Sequence, residues 1–180
     1  MTGIINKSFK KAGMPPGSII YTGDKTNEEI SISLIEYNNE DYFVKEMEKP
    51  EDIPDLDDHN KVYWLNIVGL SKTDIIEGTG NRFGIHPLIL EDIVNVNQRP
   101  KLENQGKYIY IVCHLFSYEK KVVSEQLSII LGKNYVITFL ESTDTVFEPI
   151  KDRLINNKGQ IRKKGLLLTR IQLMSNLYIN

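Results

Sequence analysis

The chain is poor in the residues that build most metal clusters, covalent catalysts and redox centres, with one cysteine, three histidines and one tryptophan in 180 residues. A lone Cys113 forms no internal disulfide, which fits a reducing compartment, and its apolar neighbours make it a buried structural thiol. His59, His86 and His114 are too scattered for zinc-ligand spacing. Cys113 and His114 are neighbours, so in a strand they point to opposite faces and make a poor nucleophile and base. Glu77-Gly78-Thr79-Gly80-Asn81 lacks the lysine and the preceding strand of a phosphate loop, and Ser124 and Ser128 sit in no nucleophile elbow. Catalysis is not expected.

Long apolar runs are missing as well. The longest candidate, Tyr108 to Phe116, is half the roughly 20 residues that a membrane-spanning helix needs, and His114 interrupts it. No apolar segment of the secretory type follows Met1. The chain as it stands is therefore expected to carry no pore. An apolar fraction of 41% is too high for disorder and suits one domain with a real core.

Charge is nearly balanced at −2 but unevenly spread. Residues 1–60 hold 13 acidic and 6 basic side chains, residues 146–180 hold 2 and 7. The acidic run from Glu46 to Asp58 contains Pro50 and Pro54 and lacks the alternating ligands and glycine of a calcium loop, so a solvated loop is expected there. Lys158, Arg162, Lys163, Lys164 and Arg170 come without a nucleic-acid motif or an aromatic stacking platform. They read as a polar helix start facing an acidic partner surface, and nucleic acid is not an expected partner.

Hydrophobic periodicity gives a mixed α/β domain. Strands are expected over 18–22, 29–37, 62–68, 107–117, 122–131 and 134–140, the last three joined as antiparallel hairpins. The nearly continuous apolar run 62–68 suits a central strand. Asn39 could cap a short helix across Tyr42 to Val44, so 39–47 stays ambiguous. Ser71-Lys72-Thr73-Asp74 resembles a capping box opening a helix that stops near Gly78 or Gly80, and 146–155 reads as a helix with Pro149 in its first turn. One sheet covered by helices follows.

The densest signal is Phe83-Gly84-Ile85-His86-Pro87-Leu88-Ile89-Leu90-Glu91-Asp92-Ile93, followed by Gln98-Arg99-Pro100-Lys101. Pro87 suits a first helical turn, with His86 as cap or packing beneath it, and Leu88, Ile89, Leu90, Ile93 and Val94 supply packing positions. Glu91 and Asp92 lie about 100° apart on such a helix, so they cannot wrap one ion by themselves. From the residues alone two roles stay open. One carboxylate faces solvent while the other accepts hydrogen bonds from a loop with Arg99 or Lys101, or both give oxygens to a site completed elsewhere.

The run 83–101 resembles the signature of the soluble domain of CorA-type magnesium and cobalt channels. Matching segments flank it in order: Met14-Pro15-Pro16-Gly17, Tyr21-Thr22-Gly23, Trp64 to Gly69, Tyr108 to Val112, Glu125 to Leu131, and Ile161-Arg162-Lys163-Lys164. The resemblance covers roughly residues 13 to 165. It implies a mixed parallel and antiparallel sheet with helices on both faces, in α/β/α layers, over residues 1–164. Residues 165–180 would open the C-terminal helical region, divergent or truncated, since Leu166 to Asn180 carries no acidic residue. It also implies that Asp92 binds regulatory Mg2+, or Co2+, at a site shared with a neighbouring subunit, with Glu91 in a second, weaker site. The parent would be a pentamer in the cell membrane, reached through C-terminal helices beyond residue 180, with this part on the cytoplasmic side. A freestanding soluble metal-binding or interaction domain is the alternative.

Overall fold

The computed structural model describes residues 13–24, 30–118, 122–142 and 145–163. Among these described residues there are seven strands: β1 (Ser31–Tyr37), β2 (Tyr42–Met47), β3 (Val62–Val68), β4 (Lys101–Asn104), β5 (Ile109–Tyr118), β6 (Val122–Leu131) and β7 (Tyr135–Leu140). They form one sheet in the order β2-β1-β3-β7-β6-β5-β4. Only β3 and β7 run parallel; each other neighbouring pair is antiparallel. A parallel pair needs a long connection. Here that connection carries helices α1 (Thr73–Phe83) and α2 (Pro87–Val94) together with β4, β5 and β6.

Strand alternation sorts the core into two layers. All seven residues of β3 are buried, as expected of a central strand. Tyr63, Leu65 and Ile67 join Ile137, Phe139 and Tyr110 beneath Ile75, Ile76, Ile89, Leu90 and Ile93 of α1 and α2. On the opposite face Trp64 joins Ile129 and Val136 beneath Phe147, Ile150 and Leu154, the last two from α3 (Glu148–Ile155). Trp64 and Phe147 meet edge to face at 5.1 Å. The α/β/α arrangement expected from the sequence is therefore present. A fully buried polar seam crosses the second layer: the Trp64 indole N–H donates to Thr138 Oγ1 at 2.9 Å, and that hydroxyl donates to Asn66 Oδ1 at 2.6 Å.

Several local expectations are corrected. Residues 18–22 are irregular rather than a strand, and are held by the Thr22 N–H donating to Val94 O at 3.1 Å. Residues 42–47 form a strand, not a helix, because the Asn38 side chain accepts from both Glu40 and Asp41 N–H and closes a tight turn. The capping box does not form: Lys72 precedes α1 and no side chain caps it. Helix α1 also runs past Gly78 and Gly80 and ends at Gly84, whose φ of 61° is the left-handed cap. Gly80 serves packing instead; a Cβ there would lie 2.3 Å from Leu90 Cδ1, so the two helices touch at this point. Short β4 was not expected. The sheet edges, β2 and β4, carry the charged side chains Lys45, Glu46, Lys101 and Glu103.

The basic C-terminal segment is also reassigned in part. Residues 161–163 form a turn, and Arg162 is buried, its guanidinium donating to Leu154 O at 2.6 Å, Ile155 O at 3.0 Å and Glu40 O at 3.2 Å. It caps the C-terminus of α3, where a positive charge also meets the helix dipole favourably. The segment 165–180 lies outside the described residues.

Candidate metal centre

Helix α2 starts where the sequence says it should. Pro87 occupies the first turn, and His86 caps it by accepting the Leu88 N–H on Nδ1 at 3.2 Å. Ile89, Leu90, Ile93 and Val94 are buried against the sheet, which leaves Glu91 and Asp92 at the half-exposed rim. Both carboxylates line one open cleft of about 430 Å³, with Met14, Pro15, Pro16, Ser18 and Leu88 forming its other walls.

Each carboxylate has its own partners. Above α2 the Ser18 N–H returns to Pro15 O at 3.3 Å, and Gly17 has φ +85°. A second-position proline followed by a glycine with positive φ marks a type II turn. That turn aims the Gly17 N–H at Glu91 Oε2, 2.7 Å away, while Gly17 packs so tightly on Pro87 that a Cβ would lie 3.2 Å from it. Asp92 faces the following loop. Its Oδ1 accepts from Gln98 Nε2 at 2.7 Å and its Oδ2 from Lys101 Nζ at 2.6 Å. Of the two cations considered from sequence, Lys101 makes the ion pair.

Buried Gln126, from β6, sets the position of that loop. Its Nε2 faces Asp92 O at 3.2 Å, Ile93 O at 3.4 Å and Ser128 Oγ at 3.3 Å, while its Oε1 accepts the Gln98 N–H at 3.1 Å. His114 holds the other side, with Nε2 2.8 Å from Gln98 O and Nδ1 3.1 Å from Ser124 Oγ. A carbonyl can only accept, so Nε2 carries the proton. Cys113 packs on the opposite face of the sheet, and burial pushes its thiol up to about 11. Cys113 and His114 are thus separated as the strand pattern requires.

Lys101 also contacts Glu103 Oε1 at 2.7 Å and lies 5.4 Å from the centre of the Tyr110 ring. Burial works to lower its pKa, but the hydrogen bonds it donates to Asp92 and Glu103 outweigh this and hold it above the usual lysine value. The Lys101 ammonium therefore stays charged at neutral pH. Two carboxylates, Asp92 and Glu103, thus share one ammonium at this end of α2, while Glu91 faces Gly17.

The donor set suits a hard divalent cation. Its anionic donors are carboxylate oxygens at an open cleft, and Mg2+ keeps several waters and needs few carboxylates. Among the described residues no three His, Cys, Asp or Glu side chains converge closely enough to hold an ion by themselves. Gln98, Glu103 and Gln126 were not singled out from sequence. Gln126 lies in an ordinary strand run, and only tertiary pairing brings it beneath α2. The acidic residues of 46–58 are all exposed, as expected, while Met47, Pro50 and Ile53 between them are buried; Asp55 pairs with Arg82 at 3.0 Å.

Residues 59–179 match the family model described as CorA-like Mg2+ transporter protein. The chain belongs to the CorA-like Mg2+ transporter family. It is 42% identical over 157 residues to the cobalt/magnesium transport protein CorA of Thermotoga maritima, covering 86% of this chain and 44% of that protein. It is 30% identical over 103 residues to the putative metal ion transporter YfjQ of Bacillus subtilis, covering 57% of this chain and 31% of that one. The chain thus spans less than half the length of these two relatives. In structure it is similar to the soluble domain of CorA from Methanocaldococcus jannaschii, with a TM-score of 0.59 at 14% identity over 80% of this chain and 55% of that one. The cytoplasmic domain of ZntB from Vibrio parahaemolyticus gives 0.52 at 9% identity, over 71% and 51%. At such identities these two likenesses concern the fold. No helix among the described residues is long and apolar enough to cross a membrane.

Proposed function

We propose that the chain is the cation-sensing cytoplasmic part of a CorA-type Mg2+/Co2+ transporter. Asp92 is the first metal ligand and Glu91 belongs to a second, weaker site. The observation that carries this reading is that both carboxylates line the cleft between α2 and the Met14 to Ser18 turn, held within the run 83–101 that resembles the family signature. Glu91 keeps one oxygen on Gly17 and Asp92 turns toward the Gln98 loop, so each offers only part of a coordination shell. Completion from a neighbouring subunit in a homo-pentamer fits that half-built geometry. Residues 1–164 form the sensing domain, and 165–180 open the helical region that leads to the membrane.

Bound Mg2+ supplies two positive charges that join carboxylate surfaces of adjacent subunits, which otherwise repel. Such a ligand biases the closed arrangement only because it binds that arrangement better than the open one. Flux through the assembled transporter that contains this chain, reconstituted in vesicles, tests the reading. Internal Mg2+ in the millimolar range is expected to close the wild type, and Asp92→Asn is expected to stay open. Equal Mg2+ closure of both would overturn the assignment.

A second reading has its own observation. Both Asp92 oxygens are already engaged by Gln98 and Lys101, as a purely structural carboxylate would be. In that case Asp92→Asn lowers stability without altering Mg2+ closure.

A further inference from the structure

Resting on the reading of Asp92 as a metal ligand, we infer that Lys101 is a tethered counter-ion that an incoming divalent cation displaces, and that Glu103 is where its ammonium goes. Lys101 Nζ stands between two carboxylates, 2.6 Å from Asp92 Oδ2 and 2.7 Å from Glu103 Oε1. This arrangement follows from β4. Residues two apart on a strand share a face, so Lys101 and Glu103 point the same way, while Asp92 reaches the same spot from α2.

The choice of lysine matters. Its ammonium is a point charge on a flexible stem, with no planar fork to lock it onto one carboxylate. It can let go of Asp92 and keep Glu103 by rotating its stem, without leaving the Tyr110 ring over which it lies. A divalent cation on Asp92 Oδ2 would sit beside this ammonium, and like charges at that separation repel. Lys101 therefore weakens cation binding at Asp92, and Glu103 limits the weakening by giving the displaced ammonium a partner. The pair sets the concentration at which the carboxylate fills. In the absence of a divalent cation, Lys101 is what keeps Asp92 neutralised.

Calorimetric titration of MgCl2 into the full chain at fixed ionic strength tests this, with circular dichroism to check that each variant is folded. Lys101→Met keeps the stem and removes the charge, and is expected to tighten Mg2+ binding roughly three- to tenfold, the range of a part-buried ion pair. Lys101→Arg keeps the charge and binds no tighter than the wild type. Glu103→Gln leaves Asp92 as the sole anionic partner of Lys101 and weakens binding about two- to threefold. The double variant K101M/E103Q matches K101M, because Glu103 acts only through Lys101. Binding by K101M no tighter than by the wild type, with D92N abolishing it, overturns the inference and leaves the metal reading standing. A double variant weaker than K101M overturns the role given to Glu103 by making it a direct ligand. Binding by D92N equal to the wild type overturns the metal reading and this inference with it; no binding in any variant overturns this inference.

Discussion

Replacing Gln126 should unfasten the metal-centre loop from below, because one buried amide holds both the end of α2 and the residue that carries the loop. Gln126→Leu conserves volume but removes every polar contact. The Gln98 N–H loses its acceptor at 3.1 Å, and the carbonyls of Asp92 and Ile93 lose a donor at 3.2 and 3.4 Å. A part-buried N–H left without a partner costs about 1–3 kcal/mol, and the long carbonyl contacts add less. The added apolar surface of leucine offsets part of this, leaving about 2 kcal/mol. At this chain length that is a fall in Tm of roughly 4–8 °C. Gln126→Glu sharpens the case, since a carboxylate oxygen would then face two carbonyl oxygens. The introduced acid is buried, so its folded-state pKa rises above the ordinary value of about 4.3. Stability should be retained below that value and lost as pH rises through the raised one, making this variant worse than Q126L at pH 7 and better matched to it at pH 4. Thermal melts at both pH values read the effect. Wild-type Tm in Q126L, or no pH dependence in Q126E, would refute the idea that this amide organises the centre.

Three other outcomes follow from contacts elsewhere. Thr138→Val keeps the shape of a fully buried side chain but strips the Trp64 indole of its acceptor; a loss of about 1–3 kcal/mol is expected in urea unfolding, and an unchanged midpoint would contradict it. Arg162→Met uncaps α3 and should cost about 1–3 kcal/mol, with faster amide exchange at residues 154–158 than elsewhere as its signature. The Cys113 thiol, raised by burial from 9.0 to about 11, holds about 100-fold less thiolate at pH 8 than in the unfolded chain. Alkylation by iodoacetamide should slow accordingly until denaturant is added; equal rates in both states would show the thiol to be accessible and ordinary.

What could be read from sequence divides along physical lines. Strand β3, the β6–β7 hairpin and the start of α2 were legible because burial on two faces, short turn chemistry and a first-turn proline each leave a local pattern. Strand β4 was not, because Lys101-Leu102-Glu103-Asn104 has no buried face of its own and is a strand only through its ladder with β5. Gly78 and Gly80 misled for a related reason. A glycine that ends a helix and one that admits a neighbouring helix look alike in one dimension, and only the contact with Leu90 separates them. At the centre, Glu91 and Asp92 were visible as carboxylates in an apolar helix. Their partners were split: Lys101 stood within reach in sequence, whereas Gly17 and Gln126 arrive from 74 and 34 residues away. The Met14-Pro15-Pro16-Gly17 motif carried the signal of a type II turn, but nothing in it says that the turn points at Glu91.

The most direct measurement is the melting temperature of this chain across millimolar MgCl2 beside its Asp92→Asn variant, with NaCl at matched ionic strength as control. A cation that binds only the folded state at tenfold its dissociation constant adds about 1.4 kcal/mol, or roughly 3–6 °C at this size. The account predicts such a rise for Mg2+ in the wild type, none with NaCl and none in D92N. An equal rise in D92N would contradict Asp92 as the ligand through which this domain senses the ion; no Mg2+-specific rise in the wild type would contradict a site that fills in this chain alone and place it in the assembled transporter.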